Sequence, residues 1–285
     1  MLQGCSPLQL LNGWVPSGTY TIKTGVRYGT HGAHERHQLD VYRPTAAPAS
    51  APVVVFFYGG NWNSGAREDY LFAGEALAGK GCVAVLPDYR LYPEVRYPDF
   101  LVDCAAAVRW VFDHIAQFGG DAQRVFLMGH SAGAYNAAML ALNPAYLRAA
   151  GTDAQRLRGL IGLAGPYDFL PMTGEITRAV FGVSNTAITT QPIHYASPSA
   201  PPALLLTGDE DDVVKPGNST RLAARLLQLG VQARVVVYPG MGHRTVLGAL
   251  AAPLRGLHGF GPVLDDVAGF INTPRHLPAA ARTSA

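Results

Sequence analysis

Three short stretches of this chain hold residues suited to nucleophilic chemistry. Gly129-His130-Ser131-Ala132-Gly133 sets a serine between two glycines in the pattern G-x-S-x-G. LLLTGDEDDVV sets Asp209, Glu210, Asp211 and Asp212 directly after an apolar run, and Pro239-Gly240-Met241-Gly242-His243 brings a histidine after another. A serine hydroxyl is a weak nucleophile until a base takes its proton, and a histidine serves as that base best when a carboxylate orients it. Together these groups would attack a carbonyl carbon and form a covalent acyl intermediate. Four adjacent carboxylates cannot share one site at neutral pH without strong repulsion, so one is expected against the histidine and the rest in solvent.

In a chain with 32 glycines the G-x-S-x-G pattern alone carries little weight, and its setting decides the matter. VFLM precedes it as a strand and AYNAAMLAL follows as a helix. A sharp, strained turn between the two would hold the Ser131 hydroxyl clear of the sheet, and only glycine avoids clashes at the two flanking positions. The ordinary alternative is a βα turn with a helix-capping serine. FFYGGNW, residues 56–62, reads by itself as a glycine-rich turn after a strand, with Trp62 packed beneath it.

His31, His34 and His37 recur every third residue, but their polar, glycine-containing segment has no cysteine and a single glutamate. They read as solvated turn residues, and no metal or other cofactor is expected. Cys82 and Cys104 read as buried small hydrophobes, too scattered for a disulfide framework or a metal site.

The elements that must position these residues follow from hydrophobic patterning. Residues 38–42, 53–58, 83–86, 125–128, 160–163, 204–207 and 235–238 are short β-branched or apolar runs, separated by longer segments of helical period. Most are continuously apolar, as strands covered on both faces are, and the helices between them suit the crossovers of a parallel sheet. The fold class is α/β. A helix after Pro98 should end at Gly119-Gly120, and another over 219–229 should end at Gly230. The Pro/Ala-rich segment 44–52 reads as a long turn and 273–285 as a tail, so a single domain over 1–285 is expected.

Further residues give these motifs a family setting. Asp88-Tyr89-Arg90-Leu91, Pro93-Glu94, Tyr97-Pro98, Asp103, Arg109-Trp110 and Gly119-Gly120-Asp121 accompany the GHSAG segment. From about 39 to 271 the chain resembles the hormone-sensitive-lipase-like and feruloyl-esterase-like carboxylesterases. The resemblance implies an α/β-hydrolase fold, a mostly parallel sheet with helices on both faces, and ester hydrolysis. It implies the order Ser131, acid, histidine along the chain. The family pattern G-x-x-D-x-x-V registers on Gly208, Asp211 and Val214, which favours Asp211 as the acid and keeps Asp212 in reserve; Asp209 is left to a local turn bond or solvation. His243 is the expected base, with His258 and His276 as later alternatives. The family's oxyanion loop falls on residues 58–62, so the amides of Gly60, Asn61 and Ala132 are implied as oxyanion donors. Tyr58 stands where histidine is usual; Tyr58 and Trp62 are expected at the substrate site. Because the base must be neutral, activity is expected to rise through about pH 6.5 to 7.

The segment 166–202 exceeds a simple crossover and is expected to form a small lid, with Tyr167, Phe169, Phe181 and Tyr195 either lining it or packing in the core. Small or aryl esters with short acyl groups are the expected substrates. Arylformamidase and feruloyl or acetyl-xylan esterase activities are the alternatives, and a non-catalytic binding module is the reading from another class. The charge balance, 22 Lys+Arg against 20 Asp+Glu, favours uncharged substrates and argues against nucleic acid. No apolar stretch reaches the roughly 18 residues of a spanning helix. Leu2-Gln3-Gly4-Cys5 is similar to the lipobox of bacterial lipoproteins, although only four residues precede the cysteine. A lipid anchor at Cys5 would place the protein at the cell envelope; without one it would be cytoplasmic.

Overall fold

The computed structural model describes residues 7–29, 34–46 and 50–273. Cys5, His31, His276 and all but the first residue of the 273–285 tail lie outside them. Eight strands form one sheet: β1 (Tyr20–Arg27), β2 (Gln38–Pro44), β3 (Ala51–Phe57), β4 (Val83–Pro87), β5 (Gly120–His130), β6 (Leu157–Leu163), β7 (Ala203–Gly208) and β8 (Ala233–Tyr238). The helices are α1 (Pro7–Asn12), α2 (Leu71–Gly79), α3 (Asp99–His114), α4 (Ala132–Leu142), α5 (Pro144–Ala149), α6 (Glu175–Phe181), α7 (Gly217–Gln228), α8 (His243–Gly248) and α9 (Val263–Ile271).

The strand order is β1-β2-β4-β3-β5-β6-β7-β8. β2 runs antiparallel to both its neighbours, and from β4 to β8 every pairing is parallel. All seven residues of β3 are buried, as a strand covered on both faces requires. The chain steps one way from β3 to β4 and the other way from β4 to β5 and onward. With right-handed crossovers, α2 therefore covers one face and α3, α4 and α7 the other. α9 joins α2, against which it packs, while α3 packs on α4 and α5.

That reversal opens a crevice at one end of the sheet. β3 and β5 are hydrogen-bonded neighbours whose onward connections leave toward opposite faces, so a crevice opens beyond their carboxyl ends. The two loops that start there carry the GGNW and GHSAG segments.

Several boundaries differ from the expectations. β1 was not anticipated, because its residues are mostly exposed and lack an apolar run. α3 ends at His114 and a tight 3-10 turn continues to Phe118; Gly119 closes it at φ +80°, whereas Gly120 already opens β5. α7 starts two residues before the expected position, and Gly230 lies beyond its end at φ +78°. Cys82 and Cys104 are buried, and burial pushes the Cys82 thiol up to about 12. No helix among the described residues is long and apolar enough to cross a membrane.

Candidate active site

The turn from β5 into α4 places Ser131 at φ +55° and ψ −122°, a region that a side chain rarely occupies. The surroundings hold it there. Its amide donates to the Leu163 carbonyl of β6 at 2.9 Å, and its carbonyl accepts from the Tyr135 amide at 3.1 Å. The flanking glycines are sterically required: a Cβ on Gly133 would strike the carbonyls of Phe57 and Tyr58, and one on Gly129 the backbone of Gly133 and Ala134.

Ser131 Oγ lies 2.9 Å from Nε2 of His243, whose Nδ1 lies 2.8 Å from Oδ2 of Asp211. Asp211 is 2% exposed. Its other oxygen accepts the amides of Val213 at 3.0 Å and Val214 at 2.7 Å, so both carboxylate oxygens have donors. Asp212, Asp209 and Glu210 are exposed, as repulsion among four carboxylates requires. Asp209 makes no local turn bond but a bond between loops, accepting the Gly240 amide at 2.7 Å, while the Glu210 amide donates to the Met241 carbonyl at 3.1 Å. These bonds lace the loop after β7 to the loop after β8 and so bring Asp211 to His243. His243 is the first residue of α8 rather than a loop residue. Thr245 fixes the helix start, its Oγ1 accepting from the Gly242 amide at 2.7 Å and donating to the Gly242 carbonyl at 2.9 Å. His258 is not among the residues around Ser131.

The loop after β3 adopts left-handed backbone at three successive residues, Gly60 (φ +127°), Asn61 (φ +51°) and Trp62 (φ +59°). A Cβ on Gly60 would clash with the Ser64 carbonyl. Gly60 and Asn61 line a cavity with Ser131, and Ala132, as the first residue of α4, has an amide without a helical partner one turn earlier. The Trp62 indole is pinned under the loop by Nε1 donating to Oδ1 of Asn136 at 2.9 Å.

The expectation that Tyr58 faces substrate is corrected. Its ring is fully buried, stacked between Tyr70 and Tyr89 at centroid distances of 5.5 and 4.7 Å, and it lines neither cavity at Ser131. Its role is architectural. The phenol donates to Oδ1 of Asp88 at 2.9 Å and accepts from Arg36 Nη2 at 2.7 Å, and the same Arg36 nitrogen donates to the Gly65 carbonyl at 2.6 Å. Asp88 also accepts the Arg67 amide at 2.9 Å and pairs with the Arg67 guanidinium. Burial, then the Asp88 charge, hold the Tyr58 phenol well above its usual range, so it stays a donor. Trp62, by contrast, lines one of the cavities at Ser131.

Two cavities meet at Ser131. One, of about 410 Å³, lies on the His243 side and includes Tyr70, Val213 and Leu247. The other, of about 530 Å³, includes Trp62, Ala132, Phe169, Met172 and Lys215. Of the four aromatic residues weighed for the 166–202 segment, Phe169 lines the second cavity, Tyr167 and Phe181 are buried in the core, and Tyr195 lines neither. His34 and His37 are not free turn residues: His34 Nε2 is 2.8 Å from Glu94, and His37 Nε2 is 3.1 Å from Asp103, which also holds Arg90 by two bonds of 2.8 and 2.7 Å. Among the described residues no cluster of His, Cys, Asp and Glu could hold a metal ion.

Sequence reasoning passed over His130 and Asn136. Both are buried polar side chains in apolar surroundings, and the lone polar residue within AYNAAMLAL was the available signal for Asn136. His130 Nε2 lies 3.0 Å from the His243 carbonyl oxygen.

The chain is similar to curated esterases. It is 27% identical to a probable isoprenylcysteine alpha-carbonyl methylesterase, ICMEL1, of Arabidopsis thaliana, over 94% of this chain and 60% of that protein. It is 29% identical to Esterase LipC of Mycobacterium tuberculosis, over 79% of this chain and 60% of that one. The chain thus spans about 60% of the length of these relatives. Among solved structures, a truncated carbohydrate esterase from gut microbiota superposes with a TM-score of 0.77 at 20% identity, covering 90% of this chain and 97% of that one. Apo Thermogutta terrifontis esterase 2 gives 0.70 at 23% identity, covering 88% and 92%. These likenesses show the α/β-hydrolase fold. Residues 39–226, well over half of the chain, match the BD-FAE family, and the chain belongs to it.

Proposed function

We propose that the protein is a serine carboxylesterase whose nucleophile is Ser131, whose base is His243 and whose orienting acid is Asp211. The observation that carries this reading is the continuous hydrogen-bonded line from Ser131 Oγ through the His243 ring to Asp211, at 2.9 and 2.8 Å, ending on a serine in strained backbone. His243 Nε2 takes the hydroxyl proton as Oγ bonds to the ester carbonyl carbon. Asp211 accepts from Nδ1 and stabilises the imidazolium. The amides of Gly60, Asn61 and Ala132 receive the oxyanion. Collapse of the tetrahedral adduct breaks the bond to the alcohol oxygen, which leaves with the proton from Nε2. Water, deprotonated by the same nitrogen, then releases the acid and restores Ser131.

Small or aryl esters of short acids are the proposed substrates, and residues 166–202 are proposed as a small lid over one domain. The names of the relatives support ester hydrolysis, and the methylesterases among them make small methyl esters worth including. The test is a panel of p-nitrophenyl esters of rising acyl length, with methyl esters and N-formylkynurenine as comparators, on wild type and Ser131→Ala. Wild-type turnover that falls at least about a thousandfold in the variant, together with fluorophosphonate labelling of Ser131, is expected. Activity that survives the substitution would remove Ser131 from the mechanism.

A further inference from the structure

The two cavities at Ser131 are not equivalent to the reaction. The leaving alcohol oxygen must receive its proton from His243 Nε2, so the alcohol half of the ester lies on the His243 side. That side is the cavity of about 410 Å³, and its walls come from far apart in the chain: Tyr70, Val213, Leu247 of α8, and Leu11 of α1. The volume is that of a pocket for a small organic group.

We infer that α1 is part of the substrate site, and that Leu11 closes the alcohol-side cavity and limits the size of the alcohol accepted. This rests on the assignment of Ser131 and His243 proposed above. Three observations carry it. Leu11 packs against the hydrophobic core while lining the cavity. The next residue, Asn12, fastens α1 in place: its Nδ2 donates to the Glu68 carbonyl at 2.8 Å, and its Oδ1 accepts the Phe72 amide at 3.2 Å. Phe72 lies in the first turn of α2, where amides lack helical partners, so Asn12 caps a helix about 60 residues away in sequence while it docks its own. Finally, α1 and α8 both lie outside residues 39–226, so Leu11 and Leu247 come from segments that the family match does not cover, whereas Tyr70 and Val213 lie within it.

The experiment keeps the acyl group constant and varies the alcohol: methyl, phenyl, 1-naphthyl and biphenyl acetates, assayed on wild type, Leu11→Trp and Leu11→Ala. Leu11→Trp is expected to lower kcat/KM for 1-naphthyl acetate by about tenfold or more relative to methyl acetate, since lost apolar fit discriminates on that scale. Leu11→Ala is expected to move the size limit upward, toward the biphenyl ester. Labelling of Ser131 to completion by a small alkyl fluorophosphonate in both variants reports that the fold and the nucleophile are intact. Labelled variants whose alcohol series is unchanged, or whose acyl-length series shifts instead, overturn this inference alone. Wild type that resists the label overturns the parent assignment and this inference with it.

Discussion

The residue that precedes the proposed nucleophile holds the backbone of the proposed base: His130 Nε2 donates to the His243 carbonyl oxygen at 3.0 Å, and the two rings lie 4.8 Å apart. Because a carbonyl only accepts, Nε2 of the neutral ring carries the proton, and Nδ1, buried without a partner among the described residues, carries none. Burial, and then the neighbouring His243, push the His130 ring down to about 3. It therefore stays neutral from neutral pH down to well below 6.5 and adds no charge beside the imidazolium that the proposed mechanism forms on His243.

The same burial makes stability depend on pH. Between about pH 6.5 and the folded value of about 3, the unfolded chain protonates this histidine and the folded chain does not. The unfolded state then binds more protons, so stability falls as pH falls, by up to about 1.4 kcal/mol per pH unit from this group. Urea unfolding at pH 7, 6 and 5 should show a steeper loss in wild type than in His130→Gln, which has no proton to take up. Equal slopes would mean that His130 is not held neutral.

Asp211 and Asp212 are adjacent in sequence and opposite in consequence. Asp211 meets His243 and is buried, whereas Asp212 is exposed. Asp211→Asn should keep the geometry but favour the wrong histidine tautomer, lowering kcat by about three to four orders of magnitude. Asp212→Asn should stay within about twofold of wild type, as an exposed charge outside the hydrogen-bonded line should. Steady-state kinetics on the two variants with one activated ester checks both, and comparable losses would count against the Asp211 assignment.

Much of this arrangement was legible in the sequence. β3, β5, β6 and β7 are covered on both faces, and burial on both faces leaves a continuous apolar run that can be read directly. Ser131 and Asp211 stood out because each follows such a run, and His243 because it follows β8, whose run is apolar although only partly buried. β1 left no such trace, since an exposed edge strand buries too little to constrain its residues. Tyr58 was placed at the substrate because its position in the loop was legible and its side-chain direction was not. Pairings such as Arg36 with Tyr58, Asp88 with Arg67 and Asn12 with α2 join residues 21 to 60 positions apart, and no local pattern encodes them.

The buried network under the glycine-rich loop should be sensitive to one oxygen atom. Tyr58→Phe leaves the stacked ring in place but removes a donor to Asp88 and an acceptor for Arg36. Leaving buried polar groups short of a partner costs about 1–3 kcal/mol. Chemical denaturation should report that loss. Because Arg36 also holds the Gly65 carbonyl, kcat should fall more than KM rises. A variant as stable as wild type would mean that Asp88 and Arg36 find partners without the phenol.

Two Gly→Ala substitutions should act in opposite directions. At Gly133 the added methyl would run into the Phe57 and Tyr58 carbonyls, which belong to the end of β3 and the start of the loop carrying Gly60 and Asn61. Backbone cannot yield there without moving that loop away from Ser131, so Gly133→Ala should fail to fold or lose esterase activity altogether. Gly269 sits inside α9 with nothing among the described residues within 4 Å of the new methyl and no left-handed backbone. There alanine removes freedom from the unfolded chain and suits the helix, for a gain of about 0.4–1 kcal/mol. Urea midpoints for both variants, with turnover of one activated ester, give the comparison. An active, wild-type-stable Gly133→Ala would show that the turn around Ser131 has more room than its packing implies.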